Sequence, residues 1–136
     1  MSDDQLNGLR LPPTLMSALA DGTWTATGKH WKAVFPADEV LRPDLYSLNL
    51  MRLENNHWQH EARPAFVGIA DGTATPGALD PTRSLLIGEL QGDATIALDY
   101  RAELQGPSVV FLDARSRWVK VARSFDEFWR RLLVGS

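Results

Sequence analysis

The chain has 136 residues, of which 44% are apolar and 23% charged, and its net charge at pH 7 is −3. This size and composition are those of one globular domain and unlike those of a disordered or membrane-embedded chain. The absence of cysteine excludes disulfides and thiolate metal sites, and the acidic balance argues against nucleic acid as a direct partner.

The N-terminal third predicts one short helix and a long irregular segment. The first ten residues lack the basic and apolar regions of a signal peptide, and no run of about 18 apolar residues occurs in the chain, so we expect a cytoplasmic protein that does not bind membranes. Residues 11–22, LPPTLMSALADG, predict a helix that starts near Pro13 and ends at Gly22. Prolines interrupt residues 23–44, which we therefore expect to be loop-rich.

The middle of the chain predicts short elements separated by turns. We expect a strand at Leu45–Leu48, a polar helix near Leu50–Asn56 and a polar turn at the HWQHE segment. Residues 65–72, AFVGIADG, predict a strand that enters a turn, and residues 72–81 predict a loop because they are rich in glycine, proline and threonine.

The second half gives the clearest pattern. Four β-rich runs, SLLIGEL, TIALDY, SVVFLD and WVKVA, recur at short intervals with turn residues between them, which predicts an antiparallel meander. Ser124 and Glu127 have the spacing of a capping box at the start of a closing helix. An apolar stripe at helical spacing predicts that this helix packs on the sheet. The stripe consists of Phe125, Phe128, Trp129, Leu132 and Leu133.

Residues that could support catalysis or metal binding are few. His57, His60 and Glu61 lie close together, but their order matches neither the zincin pattern nor its inverted form, so we favour an exposed turn over a metal site. No nucleophile elbow, P-loop or dinucleotide motif occurs. Asp93 and Asp99 flank a predicted strand and would lie about 20 Å apart along it, too far to share a reaction. We therefore expect no enzyme and no cofactor.

Charge is distributed unevenly along the chain. Between Asp71 and Asp113, seven acids and two arginines give a net charge of −5, whereas six bases and two acids after Asp113 give +4. Two interpretations follow: the two segments neutralise each other within the fold, or an acidic face is available to a basic partner. For Gly92-Asp93 we predict a tight turn, whose carboxylate either has only a structural role or also contributes to that face.

The second half also resembles a known family. The run LLIGELQGDATIALDYR, followed by GPSVVFLDARSRWVKVARSFDEFWRRLL, resembles the C-terminal half of the SUKH superfamily, which includes bacterial immunity proteins and fungal regulators of cell-wall assembly and killer-toxin resistance. The resemblance extends over residues 80–133, with weaker similarity at LPPTLMSALADG and LYSLNLMRLEN. The chain departs from the family in a shorter N-terminal helix and in a glycine-rich turn reduced to Gln91-Gly92-Asp93.

The resemblance implies a single α+β domain: a mixed, mostly antiparallel sheet of about five to six strands, backed by N-terminal helices and a C-terminal amphipathic helix. It implies a binding module, and specifically a cytosolic immunity protein that binds and neutralises a cognate toxin, often a nuclease. A regulatory protein-binding scaffold and a small-ligand-binding module are the alternatives. The candidate partner-binding residues are the acids Asp71, Asp80, Glu89, Asp93 and Asp99 and the aromatic anchors Trp24, Trp31 and Tyr100.

Overall fold

The fold is taken from a computed structural model, which describes residues 5–6, 8–25, 44–61, 76–77, 79–90, 94–100, 107–112 and 118–134. Several predictions fall outside these residues and are not tested by the structure. They are the strand at 65–72, the turn at Gly92-Asp93, and most of the loops at 23–44 and 72–81.

Within the described residues, three α-helices accompany eight strands and one 3-10 turn. The helices are α1 (Pro13–Asp21), α2 (Leu48–Glu61) and α3 (Phe125–Val134), and the 3-10 turn is Pro81–Arg83. The strands are β1 (Gln5–Leu6), β2 (Leu9–Arg10), β3 (Asp44–Leu45), β4 (Pro76–Gly77), β5 (Ser84–Leu90), β6 (Ala94–Asp99), β7 (Ser108–Leu112) and β8 (Trp118–Ala122).

The strands form two sheets. β1 and β2 pair with each other, and the main sheet has the order β3-β5-β6-β7-β8-β4. All of these pairings are antiparallel, so the predicted α+β class with an antiparallel sheet is confirmed. The predicted meander is confirmed as well, since β5, β6, β7 and β8 are neighbours in chain order.

The region around residue 48 differs from the prediction. The strand predicted at Leu45–Leu48 is shorter and earlier, because α2 already begins at Leu48. Ser47 caps this helix: its Oγ accepts a hydrogen bond from the backbone amide of Leu50 (3.3 Å). The helix continues through residue 61 rather than ending near Asn56, because its buried face extends as far as Trp58.

Helix α1 follows the prediction. Pro13 lies in its first turn, where no intrahelical amide bond is lost, and Gly22 ends it in the left-handed region (φ 81°). Leu15 and Ala18 are buried in the core, and Met16 and Leu19 are half-buried.

Helix α3 packs on β7, β8 and α1 through four of the five side chains of its predicted stripe. The prediction that Leu133 is buried with them is wrong, because 51% of this residue is exposed. At 3.6 residues per turn Leu133 lies about 80° around the helix from Phe125, at the margin of the stripe. The Ser124 hydroxyl accepts from the Glu127 amide (3.1 Å) as predicted, but the Glu127 carboxylate accepts from the amide of Arg123 instead of that of Ser124 (3.1 Å).

A buried amide joins α2 to the edge of β5. Asn55 is completely buried; its Oδ1 accepts from the amide of Leu86 (2.6 Å), and its Nδ2 donates to the Leu86 carbonyl (2.8 Å) and to the Met51 carbonyl (2.8 Å). β3 pairs with β5 only at residues 88 and 89. The Asn55 amide therefore makes the pair of bonds that a neighbouring strand would make at Leu86, where β5 bulges.

The short strand β3 lies close against β5. A Cβ atom added at Gly88 would stand 2.9 Å from the carbonyl oxygen of Asp44 and 2.9 Å from a Leu45 methyl. Only glycine permits this separation without a shift of one strand. The close approach brings the first residues of β3 beside Glu89, at the end of the sheet where the candidate site lies.

Candidate functional site

The predicted aromatic anchors are part of the core. The prediction that Trp24 contacts a partner is wrong, because Trp24 is completely buried and packs against Phe125 and Trp129 at ring distances of 5.7 and 5.4 Å. Its indole Nε1 donates to the Tyr46 carbonyl (2.9 Å), which satisfies the polar atom that burial would otherwise leave unpaired. Trp31 lies outside the described residues.

Tyr100 is also buried, so the prediction that it is an exposed anchor is wrong. Its hydroxyl donates to the Arg10 carbonyl (2.6 Å), and this bond ties the β1–β2 hairpin to the end of β6. Burial raises the pKa of the Tyr100 phenol. A tyrosine at the end of a strand therefore holds a hairpin here and presents no surface to a partner.

The predicted acidic residues differ in burial. Asp99 is buried in β6 (8% exposed), so the prediction of a surface role for it is wrong. Asp80 is half-buried and caps the 3-10 turn, accepting from the amide and the hydroxyl of Thr82 at 2.9 and 2.7 Å. Glu89 is exposed on β5, as predicted. Asp71 and Asp93 lie outside the described residues.

Glu89 belongs to a cluster of acids that sequence reasoning did not assemble. It pairs with Asp44 across the β3–β5 ladder, and its carboxylate accepts from the Tyr46 hydroxyl (3.4 Å). Burial raises the pKa of Tyr46, and the negative charges of Glu89, Glu54 and Asp44 raise it further. These three carboxylates therefore surround one phenol, and we call them the acidic edge: Asp44, Glu54 and Glu89.

The acidic edge has no neutralising partner within the described part of the chain. None of its three carboxylates forms an ion pair there. Asp44 and Glu89 are exposed, whereas Glu54 is half-buried. Unpaired carboxylates in this arrangement favour a cationic partner, and because they are close together their fields add.

Basic residues lie at the other end of the sheet. Lys120 on β8 and Arg130 on α3 are exposed, and Arg123 forms an ion pair with Glu127 of the same segment (3.7 Å). Strands β6 and β7 separate this group from the acidic edge. Of the acidic segment between Asp71 and Asp113, only Glu89 belongs to the acidic edge, and exposed arginines at positions 52 and 83 lie on the same side of the sheet.

The histidine-containing segment is helical. The prediction of a polar turn at HWQHE is wrong, because these residues complete α2, where Trp58 is buried and donates from Nε1 to the Ser84 hydroxyl (2.8 Å). His57 and His60 lie on the exposed face. Across the described ranges, no cluster of three or more potential ligands suited to a metal ion is found.

A groove of about 300 Å³ lies between the end of α1 and the start of α2. The Ser47 hydroxyl in its wall caps α2, and the Trp24 indole donates to the backbone. The described part of the groove is therefore a mainly apolar surface with few polar groups free to orient a small molecule. Its lining includes Met16, Leu19, Trp24, Ser47 and Leu48.

Comparisons with protein-family models, with curated proteins and with solved structures find no match for this chain. Of the helices that the structure describes, none combines the length and the apolarity needed to cross a membrane.

The two tyrosines of the chain allow a direct test of this geometry. Because the pKa of both phenols is raised, the folded protein should form no phenolate at about pH 10–11, where free tyrosine ionises. Both phenols bind their protons more tightly in the folded state. Their contribution to the free energy of unfolding is therefore complete below about pH 10 and is lost as the pH rises above it.

Phenolate absorbance followed during alkaline titration measures this effect, with the denatured protein as the control. We expect the native protein to ionise its tyrosines only when it unfolds. Ionisation of either phenol near its ordinary pKa in the folded protein would contradict the burial of Tyr46 and Tyr100.

Proposed function

We propose that this chain is a SUKH-like binding module with no reactive centre of its own, which acts in the bacterial cytoplasm as an immunity protein. It binds a basic, nuclease-type toxin and neutralises it by covering the surface that the toxin uses. The acidic edge carries this proposal, because its three carboxylates lie at one end of the sheet and form no ion pair with any residue that the structure describes. The α+β fold with an antiparallel sheet is consistent with the resemblance in the second half of the chain.

The expected role of the acidic edge is to steer the encounter. Nucleases that bind phosphate backbones present basic surfaces, and an acidic surface on the partner raises the association rate more than it alters the dissociation rate. Exposed charges at the rim of an interface act over a distance that salt shortens. We therefore expect the association rate to fall as ionic strength rises.

Co-expression with a toxin encoded beside this gene tests the proposal. We expect the chain to restore growth and to co-purify with the toxin. The double variant Asp44→Asn/Glu89→Gln should lower the association rate at low salt by about tenfold and weaken its salt dependence. The control is the single variant Asp126→Asn, compared with Glu89→Gln alone, since Asp126 is exposed on α3, which packs on β7 and β8. Persistent growth arrest with soluble chain present, or equal effects of the two variants, would contradict the proposal.

Binding of a small apolar molecule is a second candidate function, because the groove beside Trp24 is lined mainly by apolar side chains. A small apolar molecule held there would stabilise the folded state by an amount that grows with the logarithm of its concentration once this exceeds Kd. A thermal-shift screen against nucleotides, sugars and apolar compounds measures this, and a flat result would remove the candidate.

A further inference from the structure

The exposed face of α2 carries two leucines beside the acidic edge. Leu50 is 38% exposed and Leu53 is 55% exposed, three residues apart on the same side of the helix. The opposite side of α2 is the buried one and packs on β5 through Met51, Asn55 and Trp58. The two leucines are therefore not needed to attach α2 to the sheet.

The leucines and the acidic edge form one continuous surface. Glu54 follows Leu53 directly and lies one helical turn after Leu50, and its charge also acts on the Tyr46 phenol. The apolar pair thus adjoins Glu54, the member of the acidic edge that lies on α2. A partner that covers both must combine apolar side chains with positive charge.

We propose that the toxin presents an amphipathic basic helix to this surface, with its apolar stripe packed across Leu50 and Leu53 and its lysines or arginines against the acidic edge. This inference rests on the proposed function and specifies its partner. The two leucines are about 4.5 Å apart along the helix axis, which suits the i, i+3 and i+4 spacing of a second helix better than the roughly 6.8 Å repeat of an extended strand.

Other occupants fit this surface less well. A second copy of the chain packed through the same face would place carboxylates against carboxylates, and like charges at an interface are repelled. A nucleic acid would meet the same repulsion from its phosphates. A small cation would leave both leucines exposed to water. A basic amphipathic helix is the occupant that satisfies the apolar and the charged parts together.

A pair of synthetic peptides tests the inference. One is a leucine–lysine peptide of about 15 residues with leucines at helical spacing, and the other has the same composition in an order that destroys the stripe. Fluorescence anisotropy at low and at high salt measures the dissociation constant of each peptide from the full chain. We expect the stripe peptide to bind more tightly and to gain helical circular dichroism on binding.

Matched variants assign the effect to α2. We expect Leu50→Ser/Leu53→Ser to raise the dissociation constant of the stripe peptide about tenfold, a loss of roughly 1.4 kcal/mol, without changing that of the scrambled peptide. Leu133→Ser/Val134→Ser removes another exposed apolar pair, 51% and 65% exposed at the end of α3, and should have no effect. Circular dichroism of each variant checks that the chain remains folded.

The outcomes separate this inference from the proposed function. If both peptides bind equally, and only salt and the acidic-edge variant weaken their binding, the proposed helical partner is wrong. The proposal of a basic partner is then still supported. If the two leucine double variants have the same effect, or if neither peptide binds, the assignment to α2 is overturned, and growth rescue by co-expression still decides the proposed function.

Discussion

Replacing Asn55 by alanine should lower the free energy of unfolding by about 2–6 kcal/mol, because two buried polar groups are left unpaired and each costs about 1–3 kcal/mol. The amide and carbonyl of Leu86 would both lose their partner at the bulge of β5. Bulk water does not reach these groups in the native fold, since Asn55 is fully buried. We therefore expect α2 to loosen from the sheet or the whole domain to unfold more easily.

Asn56→Ala is the matched control for this prediction. Asn56 is the next residue of the same helix but is exposed, so its replacement should change stability by less than about 0.5 kcal/mol. Urea denaturation followed by circular dichroism measures both variants. Equal stabilities of the two would contradict the role of Asn55 as a substitute for a neighbouring strand.

Phe128→Ala should destabilise the domain by about 3–5 kcal/mol, the usual cost of removing a large aromatic side chain from a packed core. Phe128 is completely buried and lies beside Phe125, with their ring centroids 5.9 Å apart. The sheet and α1 hold the surrounding groups in place, so the cavity should not collapse fully.

Leu133→Ala tests the correction to the apolar stripe. The predicted stripe includes both Leu133 and Phe128, whereas the structure exposes half of Leu133. We expect a change of less than about 0.5 kcal/mol for Leu133→Ala in the same urea experiment. A large loss for Leu133→Ala, or a small one for Phe128→Ala, would show that α3 packs through a different face.

The meander and the closing helix could be predicted because their signals are local. Each strand of the second half carries its own β-rich run, and consecutive antiparallel strands need only short connections. The hydroxyl of Ser124 and the spacing of Phe125 and Phe128 specify α3 in the same way. Local sequence patterns therefore predict the helices and strands, and the pairing of strands that are consecutive in the chain.

The acidic edge could not be predicted because it is assembled from distant parts of the chain. Asp44 and Glu89 are 45 positions apart and meet only because β3 pairs with β5. No spacing rule connects them with Glu54 on α2. The spacing of Asp44 and Tyr46, two positions apart beside a short strand, is a weak signal that could have pointed to the edge.

The burial of individual aromatic and polar residues was also predicted wrongly. Trp24 and Tyr100 flank regular elements, where an aromatic residue can equally be an exposed anchor or a core residue. Both are core residues whose side chains donate hydrogen bonds to backbone carbonyls of distant residues, and these bonds are visible only in the structure. Asn55 sits in the polar run NLMRLENN, which predicts an exposed helix. Its burial follows from the two-residue length of β3, which leaves part of the β5 edge to be covered by α2.

Hydrogen exchange of the backbone amides, measured on the chain alone and bound to a toxin encoded beside its gene, tests the central claim most directly. If the acidic edge is the binding surface, protection should increase at β3, along α2 from Leu48 to His57, and around Glu89. Protection confined to β8 and α3, at the basic end of the sheet, would contradict it.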